Sequence, residues 1–303
     1  MTQSFLFSAQ AVMLLAFLSA LSRGGLNSID RYQIGFRRLS ICQVNLWNNL
    51  LPAIVMVVLC LFFGLRKELW TSLFQWKTLF FSGLVQLVAY SFSFAFRHSN
   101  VNQVTVMAKL SDFFIPVGIF FTTDHWSWSS YGFAVMTTVV CLPLLWKSSS
   151  AKKDPFFKSA GFFIIAALVL QASLAPLLIM PPSGGVTGDL HHALLFMIAV
   201  LCWRTSWSVL PMVFQRQSIS VSLIQLCWNP VFLLRVLLTV LTQLSFVLAI
   251  AGPNALVAWP ILNSTGIFAL FFSRQFLKED STRLEQGIVI AIALLELGRF
   301  FSL

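Results

Sequence analysis

A chain of 303 residues that is 58% hydrophobic, 15% aromatic and only 10% charged is not built for water, since soluble domains carry about 25% charged residues. Its apolar runs are continuous and roughly 18–25 residues long, the length an α-helix needs to cross a bilayer; the alternating segments of about ten residues that mark a membrane β-barrel are absent. The net charge of +10 does not point to nucleic acid, because the basic residues lie mostly between apolar runs, where loops meet lipid head groups.

The pattern predicts an all-α polytopic membrane protein of ten transmembrane helices. In chain order the spans fall at 4–22, 40–64, 78–97, 101–122, 128–147, 159–181, 191–213, 225–250, 254–276 and 285–302. The first lacks a positively charged leader and reads as a span rather than a cleaved signal peptide, and no soluble domain is expected at either end. Residues 23–39 form a connection with four arginines, and residues 66–77 (RKELWTSLFQWK) interleave tryptophans with polar groups, as at a membrane interface. Residues 148–158 (SSSAKKDPFFK) are the most linker-like and divide the chain into a first five-helix repeat, 1–150, and a second, 151–303. Residues 181–189 (PPSGGVTGD) form a turn-rich loop, and Pro230 makes the start of the eighth span kinkable.

The two halves echo each other. KLSDFFIPVG in the fourth span and ILNSTGIFALFF in the ninth each set a polar pair (Ser111–Asp112, Asn263–Ser264) before an aromatic-rich half-helix. A short turn and a glycine (Gly132, Gly287) then open the last helix of each half. Five spans per half is odd, so equivalent helices run in opposite directions, which makes an inverted repeat. A competing echo aligns Arg23 and Trp47–Asn48 with Arg204 and Trp228–Asn229, at the cost of a different helix count.

Residues 90–117 and 249–287, with Pro116–Val117 and the acidic turn Lys278–Glu279, resemble the drug/metabolite transporter superfamily, specifically its ten-helix EamA-type members. The resemblance covers the end of each half. It implies a substrate cavity between the halves, lined mainly by the third, fourth, eighth and ninth spans, and cytoplasmic termini. The Lys/Arg bias conflicts with it: the odd-numbered connections carry most of the basic residues, and the positive-inside rule then puts both termini outside.

Lys109 and Asp112 are the first candidates for function. They lie near the middle of the fourth span, where a charge costs about 2.5–3.5 kcal/mol on insertion scales, and their i, i+3 spacing sets them on one face. Asp112 is expected to bind a substrate amine or take up a coupling proton; the alternative is a buried pair that only holds packing. Gln103, Ser111, Tyr90, Trp259, Asn263 and Ser264 supply donors, acceptors and an aromatic wall to a substrate, or hydrogen bonds between helices. Arg204, beside Trp203, suits a carboxylate or phosphate. Arg235 reads as structural, and Glu296 as a partner of Arg299.

The five cysteines (Cys42, Cys60, Cys141, Cys202, Cys227) have no CxxC spacing and read as packing residues. The four histidines lack metal-ligand spacing. With no P-loop, no HExxH and no Ser/His/Asp set, neither a cofactor nor enzymatic activity is expected. The expected function is secondary active transport of a small polar or amphipathic metabolite, an amino acid or amine, with export favoured. Alternating access would be driven by proton coupling or exchange, in a monomer or homodimer among the lipids of a bacterial inner (plasma) membrane. The alternatives are a flippase for a lipid-linked substrate and a non-transport membrane assembly subunit.

Overall fold

The computed structural model describes residues 9–123, 128–151, 155–179, 186–214, 229–250, 261–262 and 264–302. Every regular element among them is helical: α1 (Ala9–Arg31), α2 (Ile41–Phe62), α3 (Arg66–Leu73), α4 (Trp76–His98), α5 (Val101–Lys109), α6 (Ile115–Thr123), α7 (Trp128–Ala151), α8 (Pro155–Ile179), α9 (Val186–Phe214), α10 (Pro230–Ile250), α11 (Thr265–Phe272) and α12 (Arg283–Ser302), with short 3-10 and π-helical turns between some of them. Among the described residues, four helical stretches are long and apolar enough to cross a membrane: Gln10–Phe36, Ile41–Phe62, Trp76–His98 and Leu194–Phe214. A fifth span results if Val101–Phe113 and Ile115–Thr122 are one bent helix. The chain is an all-α integral membrane protein.

The first helix differs most from the expected layout. Instead of ending at residue 22 it runs to Arg31 and continues as a π-helical turn, Tyr32–Phe36. Hydropathy reads the charges of residues 23–39 as a loop because it cannot see partners. In the fold those charges have them: Asp30 meets Arg235 of α10, Arg31 meets Glu279, and the Arg23 guanidinium lies 5.5 Å over the Phe246 ring. Arg23 and Arg31 are therefore helical residues and leave the loop count on which the orientation argument rested.

Other boundaries shift less. Residues 66–77 contain the short helix α3, with Trp70 exposed on it and Phe74 and Trp76 exposed just after it, an interfacial arrangement. The linker-like 148–158 is entered by helix from both sides, up to Ala151 and from Pro155. Helix α9 begins at Val186, inside the expected 181–189 loop.

Lipid is as apolar as leucine, so helices in a membrane associate through close packing and hydrogen bonds. α1 is built for this. Val12, Ala16, Ala20 and Gly24, four apart, are buried on one face. A Cβ on Gly24 would sit 2.6 Å from Phe268 Cβ and 2.8 Å from the Ala269 backbone, so only glycine allows this crossing of α1 and α11. Ser19 Oγ donates to the Thr242 carbonyl of α10 at 3.2 Å. The most extensive contacts of α1 are with α10 and α11, and those of α8 are with α4 and α6; α2 lies on α9, and α7 on α12. Cys42, Cys60 and Cys141 sit in the apolar clusters these contacts form.

The span 101–122 is broken. α5 ends at Lys109, Leu110–Phe113 is a 3-10 turn, and α6 leaves at 41° to the first segment. Pro116 is the cause in the sequence: it has no N–H to donate to the carbonyl four residues back, which is that of Asp112. The break thus falls on the charged pair.

Candidate functional site

The candidates named from sequence separate into three places. At the break in the fourth span, Lys109 Nζ donates to Asp112 Oδ2 at 3.2 Å. Ser111 Oγ is spent locally on the Ala108 carbonyl at 2.6 Å. Ser264, at the start of α11, meets Lys109 across a crevice also lined by Thr105, Gly266 and Val289. Of the two polar pairs, Ser264 comes to Lys109, the partner of Asp112, while Ser111 and Asp112 do not line the crevice. The crevice has a volume of about 10 Å³, room for about one water molecule. In this conformation it does not hold a metabolite.

Gln103 lies elsewhere, in a cluster at one end of the bundle. Its Nε2 donates to Glu285 Oε1 at 3.3 Å. Glu285 closes a capping box on α12, accepting from the Thr282 N–H at 3.0 Å while its own N–H donates to Thr282 Oγ1 at 3.3 Å. Glu279 is the centre of this end. The backbone of Lys278 turns left-handed (φ 51°) after the Ser273–Leu277 turn and brings Glu279 inward. The Glu279 carboxylate accepts from Arg31 Nε at 2.7 Å, Ser273 Oγ at 2.7 Å and the Val101 N–H at 3.1 Å. Arg31 also donates to the Phe96 carbonyl, an approach that Gly35 permits because a Cβ there would meet both groups. This one buried carboxylate ties together α1, α5 and the stretch after α11, and Arg31 carries the tie on to α4 through the Phe96 carbonyl.

Tyr90 and Arg204 belong to the third and largest polar assembly, several of whose other members carry no role in the sequence analysis. Its hub is α2, where Asn45, Asn48 and Asn49 recur at i, i+3 and i+4 and face inward. Asn45 Nδ2 donates to Ser93 Oγ at 2.9 Å and its Oδ1 accepts from Gln86 Nε2 at 3.3 Å. Asn49 Nδ2 donates to Gln86 Oε1 at 3.0 Å and to Ser208 Oγ at 2.8 Å. Arg204 Nε donates to the same Gln86 Oε1 at 3.2 Å, and the Tyr90 hydroxyl makes a long contact to the Ser208 carbonyl at 3.4 Å.

Toward α1, Asn48 Nδ2 donates to Asp30 Oδ1 at 3.1 Å and Gln33 Oε1 at 3.3 Å. Arg235 grips Asp30 at two points, Nε to Oδ1 at 3.0 Å and Nη2 to Oδ2 at 3.1 Å, and also donates to Thr239. The partner of Arg235 is thus an acid on α1. The whole network joins α1, α2, α4, α9 and α10. Its missed members carried a readable signal: three asparagines on one face of an otherwise apolar span.

Trp259 and Asn263, together with the side chains of Glu296 and Arg299, lie outside the described residues. The sequence matches no protein-family profile and no curated protein.

Proposed function

We propose that the chain is a secondary transporter of the drug/metabolite type, with two inverted five-helix repeats, residues 1–150 and 151–303, rocking about the α1–α2–α4–α9–α10 network. The observation that carries this reading is that network itself. Two arginines, an aspartate and at least five amide side chains are held among membrane helices, where polar groups are expensive and mark substrate or ion paths.

The helix pairing supports the repeat. Counting α5 and α6 as one bent fourth span and leaving the short α3 aside, α1 to α7 supply spans one to five and α8 to α12 spans six to ten. Span one packs on eight and nine; span six packs on three and four. Spans two and seven face each other, as do five and ten. Exchanging the halves maps each of these pairs onto another or onto itself, as a twofold-related repeat requires.

Alternating access needs a site and a gate that feel each other. Asp30 and Arg31 are neighbours in the last turn of α1. Asp30 belongs to the network and Arg31 to the Glu279 latch. A ligand that shifts the network therefore acts directly on the helix end that holds the latch, and only differential contact in the two states drives such a shift. A broken fourth span beside the halves' boundary fits the same architecture. The drive is proton coupling or exchange, with Asp112 as the candidate proton carrier.

Purified protein alone in liposomes tests this. The expected result is saturable, counter-substrate-accelerated movement of small solutes across the vesicle wall. Movement of a labelled lipid without any solute would replace transport of metabolites by lipid flipping. Neither would leave the assembly-subunit reading.

A further inference from the structure

We propose that the central network is an oxyanion site in which Arg204 is the counter-charge for a substrate carboxylate or phosphate, so that the cargo is an organic anion rather than a simple amine. This rests on the transporter reading for its role as cargo; binding at the site stands on the geometry alone.

The network contains three charged side chains. Arg235 is already matched to Asp30 by the two-point contact, and Asp30 has its remaining demand met by Asn48. Arg204 lies within electrostatic reach of both, yet the hydrogen bond recorded for it goes to a neutral acceptor, Gln86 Oε1. Its two Nη groups make no hydrogen bond among the described residues. Among the described residues the network thus carries one uncompensated positive charge.

Lipid does not relieve that charge. On α9, Leu201 and Ser208 are buried and share a face with Arg204, while Ser206, Val209 and Leu210 are exposed on the other. Arg204 points inward from the middle of its helix, too far from either end to snorkel. A guanidinium fork with two free nitrogens is the group best matched to a carboxylate or phosphate.

A second, independent observation marks the same network as unfinished. Gln33 Nε2 and Trp47 Nε1 are buried donors, and Asn48 Oδ1 a buried acceptor, none with a partner among the described residues. Their residues are 1%, 5% and 4% exposed. Buried polar atoms of this kind normally find partners. These three lie toward α1 and α10, while Arg204 lies toward Gln86, so they call for a second polar group on the same molecule, an acceptor for the two donors and a hydroxyl or amino proton for Asn48. A cationic amine without an acid group meets two arginines here and finds the aspartate occupied.

Thermal stabilisation of the purified protein tests the proposal, with glutamate, succinate and glycerol 3-phosphate as probes, putrescine and glycerol as controls, at matched ionic strength. Binding the folded state raises the melting temperature by mass action. At least one anion is expected to stabilise the wild type, with an affinity about a hundredfold weaker in Arg204→Met, as for truncation of a buried charge contact, and partly restored in Arg204→Lys. Gln33→Leu, which removes an unpartnered donor and no charge, is expected to weaken the same probe and serves if Arg204→Met does not fold. Stabilisation by putrescine alone, by no anion, or by an anion equally in both variants would overturn the site. An anion that binds through Arg204 but is not moved into liposomes would overturn the transport reading and leave the site standing. An amine moved independently of Arg204 would do the reverse.

Discussion

Glu279→Ala lowers the melting temperature of the detergent-solubilised protein by on the order of 10 °C, because it leaves the Arg31 guanidinium buried without its acid; breaking one side of a buried ion pair costs about 3–5 kcal/mol. The loss is larger than that of an ordinary ion pair for a structural reason. Glu279 also accepts from Ser273 Oγ and the Val101 N–H, so the substitution strands three donors drawn from three segments. Glu279→Gln keeps one acceptor oxygen and should fall between wild type and alanine. A melting temperature for Glu279→Ala within about 2 °C of wild type would show that the carboxylate does not hold that end of the bundle.

Asp30→Ala and Arg235→Ala should each destabilise by a similar amount, again about 3–5 kcal/mol, while the double variant costs much less than their sum. The physical basis is the two-point contact at 3.0 and 3.1 Å. Each single change leaves the other charge buried among α1, α2 and α10, whereas the double change removes both. A coupling of about 1–3 kcal/mol is the signature of directly interacting residues. Asp30→Ala carries a further consequence: it leaves two arginines facing each other in one network, so it should be the more damaging of the two. Additive single and double effects would mean that the pair does not form.

These two acids separate what the sequence made legible from what it did not. Membrane class and helical fold follow from apolar runs alone, because lipid permits few other spanning structures. Lys109 and Asp112 were visible because a charge inside an apolar run stands out, and their mutual contact follows from i, i+3 spacing. Asp30 and Glu279 were hidden because each sits at the margin of an apolar run, among other charges, where hydropathy assigns a loop. What turns them inward is a partner more than 200 positions away, Arg235 and Arg31 respectively, and a single sequence does not record such pairings. The Asn45–Asn48–Asn49 face was legible in principle. Amides depress hydropathy too little to interrupt a span, and only their helical periodicity gives them away. The polar pair at Asn263–Ser264 was expected to share a substrate site with Ser111–Asp112. Ser264 does come to Lys109, but the crevice between them is about 10 Å³, while the larger polar assembly formed around Gln86 and Arg204.

Electron–electron spin distances between labels at Arg37 and Lys278, both exposed beside the Arg31–Glu279 latch, bear most directly on alternating access. The labels are placed in a background with the native cysteines replaced, in lipid nanodiscs. Two populations are predicted, a short one with the latch closed and a longer one with it open; Glu279→Gln should move weight to the longer. A single narrow distance, the same with and without Glu279→Gln and with every probe that binds, would contradict a gate at this end and with it the rocking of the two halves.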